Sequence, residues 1–558
     1  MRRIYQLVTI ALLSCPATAT SPNQHAVASA HPIATEAGIN ILSQGGNAFD
    51  AAIAVASTLA VVEPYSAGMG GGGFWLLHQG LENRSIFVDA REMAPAKAHR
   101  NMYLNEDGAV DRDLAINGPL AAGIPGQAAA FVHIAKHYGK LPLSQTLKPS
   151  IQVARDGFKT SKNYQRLAKM RHKILLRYPA SQHYLDNGQA PKPGYLLKQP
   201  QLSKTLSLLA QSGFDGFYQG NVAQEMISSV NAAGGIWTLA DLKNYKIVER
   251  KPIEFHYLGH KITSAPPPSS GGIALATMLN TLSLFPLAKV ESLQRTHLTV
   301  EAMRRAYRDR AEFLGDPDFI EIPTQHLISD DYGKQLAATI NKNKATPSLS
   351  LQGPANIVEG FHTTHLSVLD KEGNRVSATL SINLPFGSAF VAGNTGVLLN
   401  NEMDDFSAKP GSPNAYGLVG AEANAIEPRK RPLSSMSPSF VENSEQVAIL
   451  GTPGGSRIIT MVLLGILEHV DQQPVEAWVS RPRFHHQYLP DTIQFEPSVF
   501  SDMEQAQLKA LGHDLKLLTR QYGNMQAILW DKTSNKVTAA SDPRGHGKAI
   551  TQNPLAPK

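Results

Sequence analysis

The chain has 558 residues, of which 42% are hydrophobic and 18% charged, a balance that suits a globular protein with a large core and excludes a disordered one. The formal net charge of +6 falls to +4 without residues 1–19, which carry Arg2 and Arg3. So small an excess over a chain of this length does not indicate a nucleic-acid partner.

Residues 1–19 are typical of a secretory signal. Two arginines form its positive end, Ile4–Leu13 the apolar run and Ala17–Ala19 the small-residue cleavage site. That run is too short to span a bilayer, and no later segment reaches about 18 consecutive apolar residues, so we expect no transmembrane span. The sequence therefore predicts a periplasmic or secreted protein. Cys15 adds an alternative, because the residues before it resemble a weak lipoprotein signal in which Cys15 would be the anchored residue.

Two helices are predicted near the start of the chain, over His31–Ser43 and Ala48–Val62, and the second is apolar on most sides. Gly68–Phe74 follows with five glycines. A phosphate-binding loop would continue with Lys-Ser/Thr, which is absent here, so we predict close backbone packing beside a site instead. The strand predicted at Ile86–Asp89 ends just before Arg91.

The middle of the chain is mostly helical by its apolar spacing. The predicted helices are Leu141–Phe158, Gln201–Ser212, Ile273–Leu284 and Arg295–Gly315. The basic run Lys162–Arg177 is typical of a solvated helix face rather than of a binding patch. Asn341–Val358 is polar and lacks strong periodicity, which indicates a flexible segment.

A β-hairpin is predicted from two alternating stretches, His365–Leu369 and Val376–Leu384, joined by the turn Asp370–Asn374. Thr363 and Thr364 stand at the head of its first strand. A threonine at a freshly cut chain end can attack an acyl carbon with its own α-amine as the base, because that amine has an unperturbed pKa of about 8. An ordinary two-stranded element would carry the same local pattern, so the hairpin alone does not decide between them.

Four other blocks accompany the hairpin: Asp89–Pro95, Leu398–Phe406, Arg431–Pro438 and Gly451–Arg457. Together they resemble the γ-glutamyltransferase family, also called γ-glutamyltranspeptidases or glutathione hydrolases, with every block in the family's order. The resemblance runs over nearly the whole chain. It implies an α/β protein of the N-terminal nucleophile hydrolase fold, a four-layer αββα sandwich built from two subunits of one cleaved precursor.

The resemblance also implies a maturation step and a reaction. Cleavage between His362 and Thr363 would give a large subunit of residues 20–362 and a small catalytic subunit of residues 363–558, which stay together as a heterodimer forming one intertwined domain. Thr363 would then take the γ-glutamyl group from glutathione or another γ-glutamyl compound and pass it to water, an amino acid or a dipeptide. No cofactor is implied, and no set of His, Cys or acidic residues has the spacing of a helical zinc motif.

The resemblance assigns the catalytic parts to four residues. Thr363 would be the nucleophile, with Thr364 in a supporting role. Ser381 stands where the family usually has a threonine that hydrogen-bonds the nucleophile, so the hydroxyl is kept and the methyl group is lost. The backbone amides of Gly454 and Gly455 would form the oxyanion hole.

The binding residues implied by the resemblance fall into two groups of opposite chemistry. The acceptors for the donor's α-ammonium would be Asn383, Glu402 and Asp405. The groups that donate to its α-carboxylate would be Arg91, Ser434 and Ser435. Tyr416 would be the tip of a lid loop over the donor, within Pro410–Ile426.

Two alternatives stay open at this point. One is a related acylase that acts on cephalosporin-type or poly-γ-glutamate substrates, and the other is an inactive, uncut binding protein. The lid loop and the complete set of groups for a free α-amino acid argue against the acylase. A chemically competent residue at every catalytic position argues against the inactive protein.

Overall fold

The structure is a computed structural model, and it describes residues 21–351, 363–409, 411 and 421–553. The strands of the described residues are β1 His25–Ser29, β2 Gly72–Gln79, β3 Arg84–Ala90, β4 Phe158–Lys159, β5 Leu196–Leu197, β6 Val248–Arg250, β7 Ile253–Tyr257, β8 His260–Ser264, β9 Thr364–Leu369, β10 Arg375–Ser381, β11 Ser439–Glu442, β12 Gln446–Gly451, β13 Phe484–His485, β14 Ile493–Phe495, β15 Leu515–Leu517, β16 Gln526–Asp531, β17 Lys536–Ser541 and β18 Lys548–Gln552. The α-helices are α1 Pro32–Ser43, α2 Ala48–Val62, α3 Arg112–Ile116, α4 Gln127–His137, α5 Leu143–Thr146, α6 Lys148–Asp156, α7 Lys162–Arg177, α8 Pro200–Ser212, α9 Asp215–Tyr218, α10 Gly220–Ala232, α11 Leu239–Lys243, α12 Gly271–Leu282, α13 Ser292–Phe313, α14 Thr324–Leu327, α15 Asp330–Ala338, α16 Ile458–Val470, α17 Val475–Ser480 and α18 Asp502–Ala510.

Two antiparallel sheets form the centre of the molecule. The first has the strand order β18-β1-β9-β10-β2-β3-β6, and the second has the order β17-β16-β12-β11-β8-β7. Helices α1 and α2 pack on the outer face of the first sheet in one apolar cluster with Val27 and Trp75. Helices α12 and α16 pack in a second cluster with the strands of the second sheet and with Phe74 and Leu76, which face inward from the first sheet. The predicted four-layer αββα sandwich is therefore confirmed.

Strand β9 shows how alternation orients the residues at the hairpin. Leu366 and Val368 belong to the helix-side cluster, whereas the Ser367 hydroxyl points across the sandwich and donates to the Gln526 carbonyl (3.1 Å). Side chains two residues apart lie on the same face of a strand. Thr363, immediately before β9, is therefore directed toward the second sheet.

The chain segments before and after Thr363 are interleaved in the first sheet. Strand β9 pairs with β1 on one side, and its hairpin partner β10 pairs with β2 on the other. The outermost strand β18 also pairs with β1. Both segments thus contribute strands to one shared core.

Among the predicted segments that differ from the structure, three are informative. Strand β10 ends at Ser381 instead of Leu384, because Asn383 has a positive φ of 70° that a strand cannot continue through. The single helix predicted over Leu141–Phe158 is two helices, α5 and α6, and the second begins with a proline at its second position, where the missing N–H costs no helical hydrogen bond.

The third difference concerns Asn341–Val358, which the sequence predicts to be flexible. Glu301 accepts hydrogen bonds from both the amide (3.1 Å) and the hydroxyl (2.5 Å) of Thr346. The Ser348 amide donates to Asp491 (2.6 Å), whose carboxylate also pairs with Arg304. This part of the segment is therefore anchored, and residues 352–358 lie outside the described residues. None of the described helices is long and apolar enough to cross a membrane.

Candidate active site

Thr363 lies at the junction of two cavities. Its side chain is 6% exposed, and it lines both a small pocket between the sheets and a larger groove that opens to the surface. We call these the inner pocket and the outer groove. The inner pocket is lined by Arg91, Arg310, Thr363, Ser381, Asn383, Asp405, Leu433, Ser434, Ser435, Met436, Gly455, Ser456 and Ile458. Seven predicted site residues besides Thr363 therefore come together around one threonine.

The glycine-rich loop places Ser381 beside this pocket by letting backbones approach closely. Gly72 pairs with Ser381 in the register of β10 and β2. A Cβ atom on Gly71 would collide with the Ser381 carbonyl, and one on Gly70 would collide with the Leu398 carbonyl. The prediction of close backbone packing here is confirmed. The Ser381 hydroxyl accepts a hydrogen bond from the Asn383 amide (2.7 Å), which fixes its orientation at the end of the strand.

Gly454 and Gly455 occupy the turn between β12 and α16 on the opposite side of Thr363. Their φ angles of 148° and 58° favour glycine. Gly455 lines the inner pocket and Gly454 lines the outer groove. A Cβ atom on Gly454 would also collide with the end of Met461. The turn therefore needs both glycines, and it presents backbone rather than side chains to the threonine.

Arg91 lies at the base of the inner pocket and is 1% exposed. Its guanidinium contacts Glu402 (2.7 Å) and Asp405 (2.5 Å) with separate nitrogens and lies 3.5 Å from Glu92. The two carboxylates assigned to the donor's ammonium and the arginine assigned to its carboxylate are thus paired with one another in this structure. A ligand that binds to all three side chains would have to exchange these ion pairs for its own contacts.

The pKa values of Arg91 and of two acids beside it are all raised. Burial raises the pKa of Glu402 well above its usual range, and the positive charge of Arg91 only partly opposes this. Burial raises the pKa of Glu92 in the same way. The pKa of Arg91 is raised by the neighbouring carboxylates of Glu402 and Asp405 against the opposing effect of its own burial. Arg91 is therefore charged at every accessible pH, whereas burial favours the protonated forms of Glu92 and Glu402.

The remaining predicted binding residues are held by the backbone around them. The Asn383 side-chain nitrogen Nδ2 donates to the Asn401 backbone carbonyl (2.9 Å). The Ser434 hydroxyl accepts from the Met436 backbone amide (3.1 Å). Among the described residues, the buried Ser435 hydroxyl has no hydrogen-bond partner. An unpaired buried hydroxyl in a pocket is available to a ligand. Tyr416 and His362, the predicted lid tip and the residue before the cut, lie outside the described residues.

Arg310 is an inner-pocket residue that the sequence did not single out. It is 4% exposed, donates to the Ser270 hydroxyl (3.0 Å) and forms no ion pair within the described part of the chain. Burial lowers its pKa to about 10. The helix α13 that carries it is rich in arginine, and most of these residues form structural ion pairs, so only the fold distinguishes Arg310 from its neighbours.

The outer groove was also not predicted, because its lining comes from segments far apart in the chain. It has a volume of about 840 Å³, against about 20 Å³ in the inner pocket. The charged or titratable residues that line it are Glu63, Lys159, Lys162, Arg166, Arg520, Tyr65, Tyr522, Arg544 and His546. Lys162 and Arg166 open the basic run that the sequence assigns to a solvated helix face. That prediction holds for exposed residues later in the helix, such as Lys169, but the start of the run borders this groove.

The histidines near the site have structural roles. His365 is fully buried and hydrogen-bonds Thr379 (2.9 Å), and burial lowers its pKa to about 3. Elsewhere in the described residues, His297, Glu301 and His513 bring their ligand atoms within 4.8 Å of one another. His297 already uses both ring nitrogens, toward His513 (2.8 Å) and the Asn341 carbonyl (2.8 Å), and Glu301 pairs with arginine. The ring nitrogens of His297 and the carboxylate of Glu301 are therefore occupied by structural contacts.

A threonine before a central strand of an αββα sandwich, with paired glycines facing it, defines the class of N-terminal nucleophile hydrolases. The family model of γ-glutamyltranspeptidase matches residues 34–552. The glutathione hydrolase proenzyme of Escherichia coli (strain K12) is 42% identical over 528 residues, covering 93% of this chain and 90% of that protein. The chain belongs to the γ-glutamyltranspeptidase family.

Two solved structures extend the comparison. The cephalosporin acylase of Bacillus halodurans aligns over 97% of this chain and 99% of its own, with a TM-score of 0.83 and 26% identity. The γ-glutamyltranspeptidase of Helicobacter pylori is 38% identical, with a TM-score of 0.57, and covers 58% of this chain and 94% of that one. The predicted family, fold, and γ-glutamyltransferase and glutathione hydrolase class of enzyme are confirmed, and the acylase alternative is not favoured.

Proposed function

We propose that the protein cuts its own chain before Thr363 and then uses the freed residue to take the γ-glutamyl group from glutathione and similar donors. The group passes to water or to the amine of an amino acid or dipeptide. The observation that carries the proposal is the place of Thr363 between a pocket lined by both signs of charge and an open groove. A donor can be held on one side while water or an acceptor arrives from the other.

The inner pocket suits a donor with a free α-amino acid end. Asp405 lines the pocket and Glu402 lies against Arg91, so both carboxyl groups can serve an ammonium, and Arg91 offers a planar pair of N–H groups to a carboxylate. A zwitterion satisfies both halves at once when it replaces the ion pairs that close the pocket. Its ammonium then takes the place of the Arg91 guanidinium beside the buried Glu402, so this carboxyl group keeps a cation as its partner.

The reaction uses few parts. The Thr363 α-amine accepts the hydroxyl proton as Oγ attacks the γ-carbonyl carbon, and the Gly454 and Gly455 amides stabilise the oxyanion that forms. The C–N bond then breaks and the amine returns the proton to the leaving nitrogen. An ester on Thr363 remains, and water or an acceptor amine removes it by the same sequence of steps. Ser381 is the hydroxyl that positions the nucleophile.

Self-cleavage uses the same hydroxyl on a different carbonyl. Thr363 Oγ attacks the carbonyl carbon of His362, the amide becomes an ester, and water releases the two chains. The names of relatives as proenzymes support this step. The H. pylori chain, which corresponds to 58% of this chain, is close in extent to the proposed large subunit of residues 20–362. The subunits stay associated because their strands alternate in the first sheet.

The steady-state rate with γ-glutamyl anilide, with and without a dipeptide, tests the proposal. We expect anilide release that the dipeptide accelerates, and glutathione as a competing substrate. Glutaryl anilide lacks only the α-amine, so it leaves the pocket carboxylates without its ammonium. We expect a much lower kcat/KM for this anilide, equivalent to a loss of several kcal/mol in transition-state stabilisation. Equal kcat/KM values for the two anilides would contradict the assigned ammonium site and favour the acylase.

We also propose that the protein is exported, on the signal-like pattern of residues 1–19. Mass spectrometry of the protein from a host cell's periplasm and membrane fractions tests this. A soluble chain beginning at residue 20 supports cleavage after Ala19. A membrane-bound chain that begins with a lipid-modified Cys15 supports the anchored form instead, and the full-length chain in the cytoplasm contradicts both.

A further inference from the structure

We propose that the outer groove is the acceptor site and that it selects acceptors bearing more than one carboxylate, namely acidic amino acids and short acidic peptides. The proposal rests on the function proposed above. It adds the chemical class of the acceptor, which neither the donor pocket nor the family assignment specifies.

The position of the groove follows from the geometry at Thr363. Once the γ-glutamyl group is esterified to Thr363 Oγ, that group occupies the inner pocket, whose volume of about 20 Å³ in this structure leaves no room for a second molecule. An attacking amine must therefore reach the ester from the side of the outer groove, which Thr363 and Gly454 both line. A volume of about 840 Å³ leaves room for a peptide there, since ligand cavities commonly measure about 300–1,000 Å³.

The charges that line the groove are nearly all positive. Lys159, Lys162 and Arg166 are exposed on one wall, and within the described residues none of the three forms an ion pair. Arg520 adds a positive charge on the other wall. Arg544 contributes less, because its guanidinium is paired with Glu496 (2.6 Å) and Asp542 (3.2 Å).

The groove offers little negative charge in return. Of the described residues that line it, Glu63 is the only acid. Its carboxylate is 4% exposed and accepts hydrogen bonds from the hydroxyls of Thr364 (2.8 Å) and Tyr65 (3.0 Å). Burial raises its pKa to about 7, so even this acid is partly neutral near physiological pH. Glu63 therefore does not balance the excess of positive charge in the groove.

The positive charges of Lys162 and Arg166 both lie in unfavourable electrostatic surroundings. Lys162 is the first residue of α7, and a positive charge at a helix N-terminus opposes the helix dipole. Arg166 lies close enough to Arg520 that burial and the like charge together lower its pKa. An anionic ligand between the walls would relieve both arrangements, and long exposed side chains can adjust to its shape.

Transfer of the γ-glutamyl group needs no reactant besides the acceptor. The neutral α-amine of the acceptor attacks the ester carbonyl carbon, so a C–N bond forms and the bond to Thr363 Oγ breaks. The proton lost by the attacking nitrogen passes to the Thr363 α-amine and from there to Oγ. The acceptor's carboxylates take no part in bond making, and the lysines and arginines act only on binding and orientation.

Transfer from γ-glutamyl anilide to matched dipeptides tests the proposal on the mature protein. Glycylglutamate and glycylglutamine have nearly the same size and differ by one charge. We expect kcat/KM for transfer to be about fivefold or more higher for glycylglutamate, a preference that electrostatic attraction of one added charge can supply. The triple variant Lys159→Gln/Lys162→Gln/Arg166→Gln should lose most of that preference.

Lys169→Gln is the matched control, because Lys169 is an exposed residue of the same helix that does not line the groove. It should retain the full preference. Equal kcat/KM values for the two dipeptides with the unaltered protein, or a triple variant that keeps the preference, would overturn this proposal. Failure to release anilide from γ-glutamyl anilide at all would instead overturn the proposed function.

Discussion

The inner pocket and the outer groove meet at Thr363 but handle charge in opposite ways. In the pocket, Arg91 and its carboxylates are buried and paired with one another, so a ligand must exchange existing ion pairs. In the groove, Lys159, Lys162 and Arg166 are exposed and border open space. Buried paired charges give strong discrimination at a high cost of desolvation, whereas exposed charges give weak, adjustable attraction. The donor should therefore be recognised strictly and the acceptor loosely.

The largest effect should come from the residue that both cavities share. Thr363→Ala removes the hydroxyl proposed to act in both the cut and turnover, so we expect one uncut chain on a denaturing gel and no anilide release. Thr363→Ser keeps a hydroxyl and should still be cut, with slower turnover. Two subunits from the alanine variant would show that another residue performs the cleavage.

Arg91→Lys should give the next largest loss. Lysine keeps the charge but cannot make the planar two-pronged contact, and the site is buried. We expect a fall in kcat/KM for γ-glutamyl anilide that corresponds to a loss of about 2–5 kcal/mol in transition-state stabilisation. Arg177→Lys, in an exposed ion pair with Asp113, is the comparison and should change little. Similar values for both variants would remove Arg91 from the donor site.

The pH dependence of donor binding should be steeper than that of acceptor preference. Burial raises the pKa values of Glu92 and Glu402, so these groups are protonated and neutral at low pH and become carboxylates as the pH rises. The ammonium of L-glutamate keeps its charge over this range. Calorimetry should therefore show its Kd falling from about pH 5.5 to about pH 8, by at most about tenfold per unit for each group.

Glu92→Gln separates this effect from other titrations, because glutamine at position 92 is neutral at every pH. The slope of log Kd against pH should be shallower in that variant. A Kd that rises with pH in the unaltered protein would mean that protonated carboxyls, rather than carboxylates, receive the ammonium.

The smallest effect should be that of salt, and it should separate the two cavities. Raising sodium chloride from about 0.05 M to about 0.5 M shortens the screening length severalfold, so the preference for glycylglutamate should fall about threefold. The KM for the donor should change much less, because its partners are buried. A donor KM that depends on salt more than the acceptor preference does would reverse the comparison.

The difference between the cavities also explains what the sequence could predict. The pocket residues lie in compact sequence blocks such as Gly451–Arg457. Because these blocks resemble those of a known family, each residue could be assigned to the site from the sequence. The fold follows from the same blocks and from the alternation in β9 and β10. Arg310 was missed because an arginine-rich helix gives no sign of which side chain faces a cavity. The groove was missed because Lys159 and Arg520 are ordinary solvated residues until the fold brings their segments together.

Under the proposed cleavage before Thr363, the interleaving of strands in the first sheet would make folding a one-time event. While the chain is continuous, β9 finds its place between β1 and β2 as part of one molecule. After the cut, the same pairing requires two separate chains to meet, so renaturation depends on their concentration and competes with aggregation. The lifetime of the mature enzyme is then set by how slowly it unfolds rather than by an equilibrium it can return to.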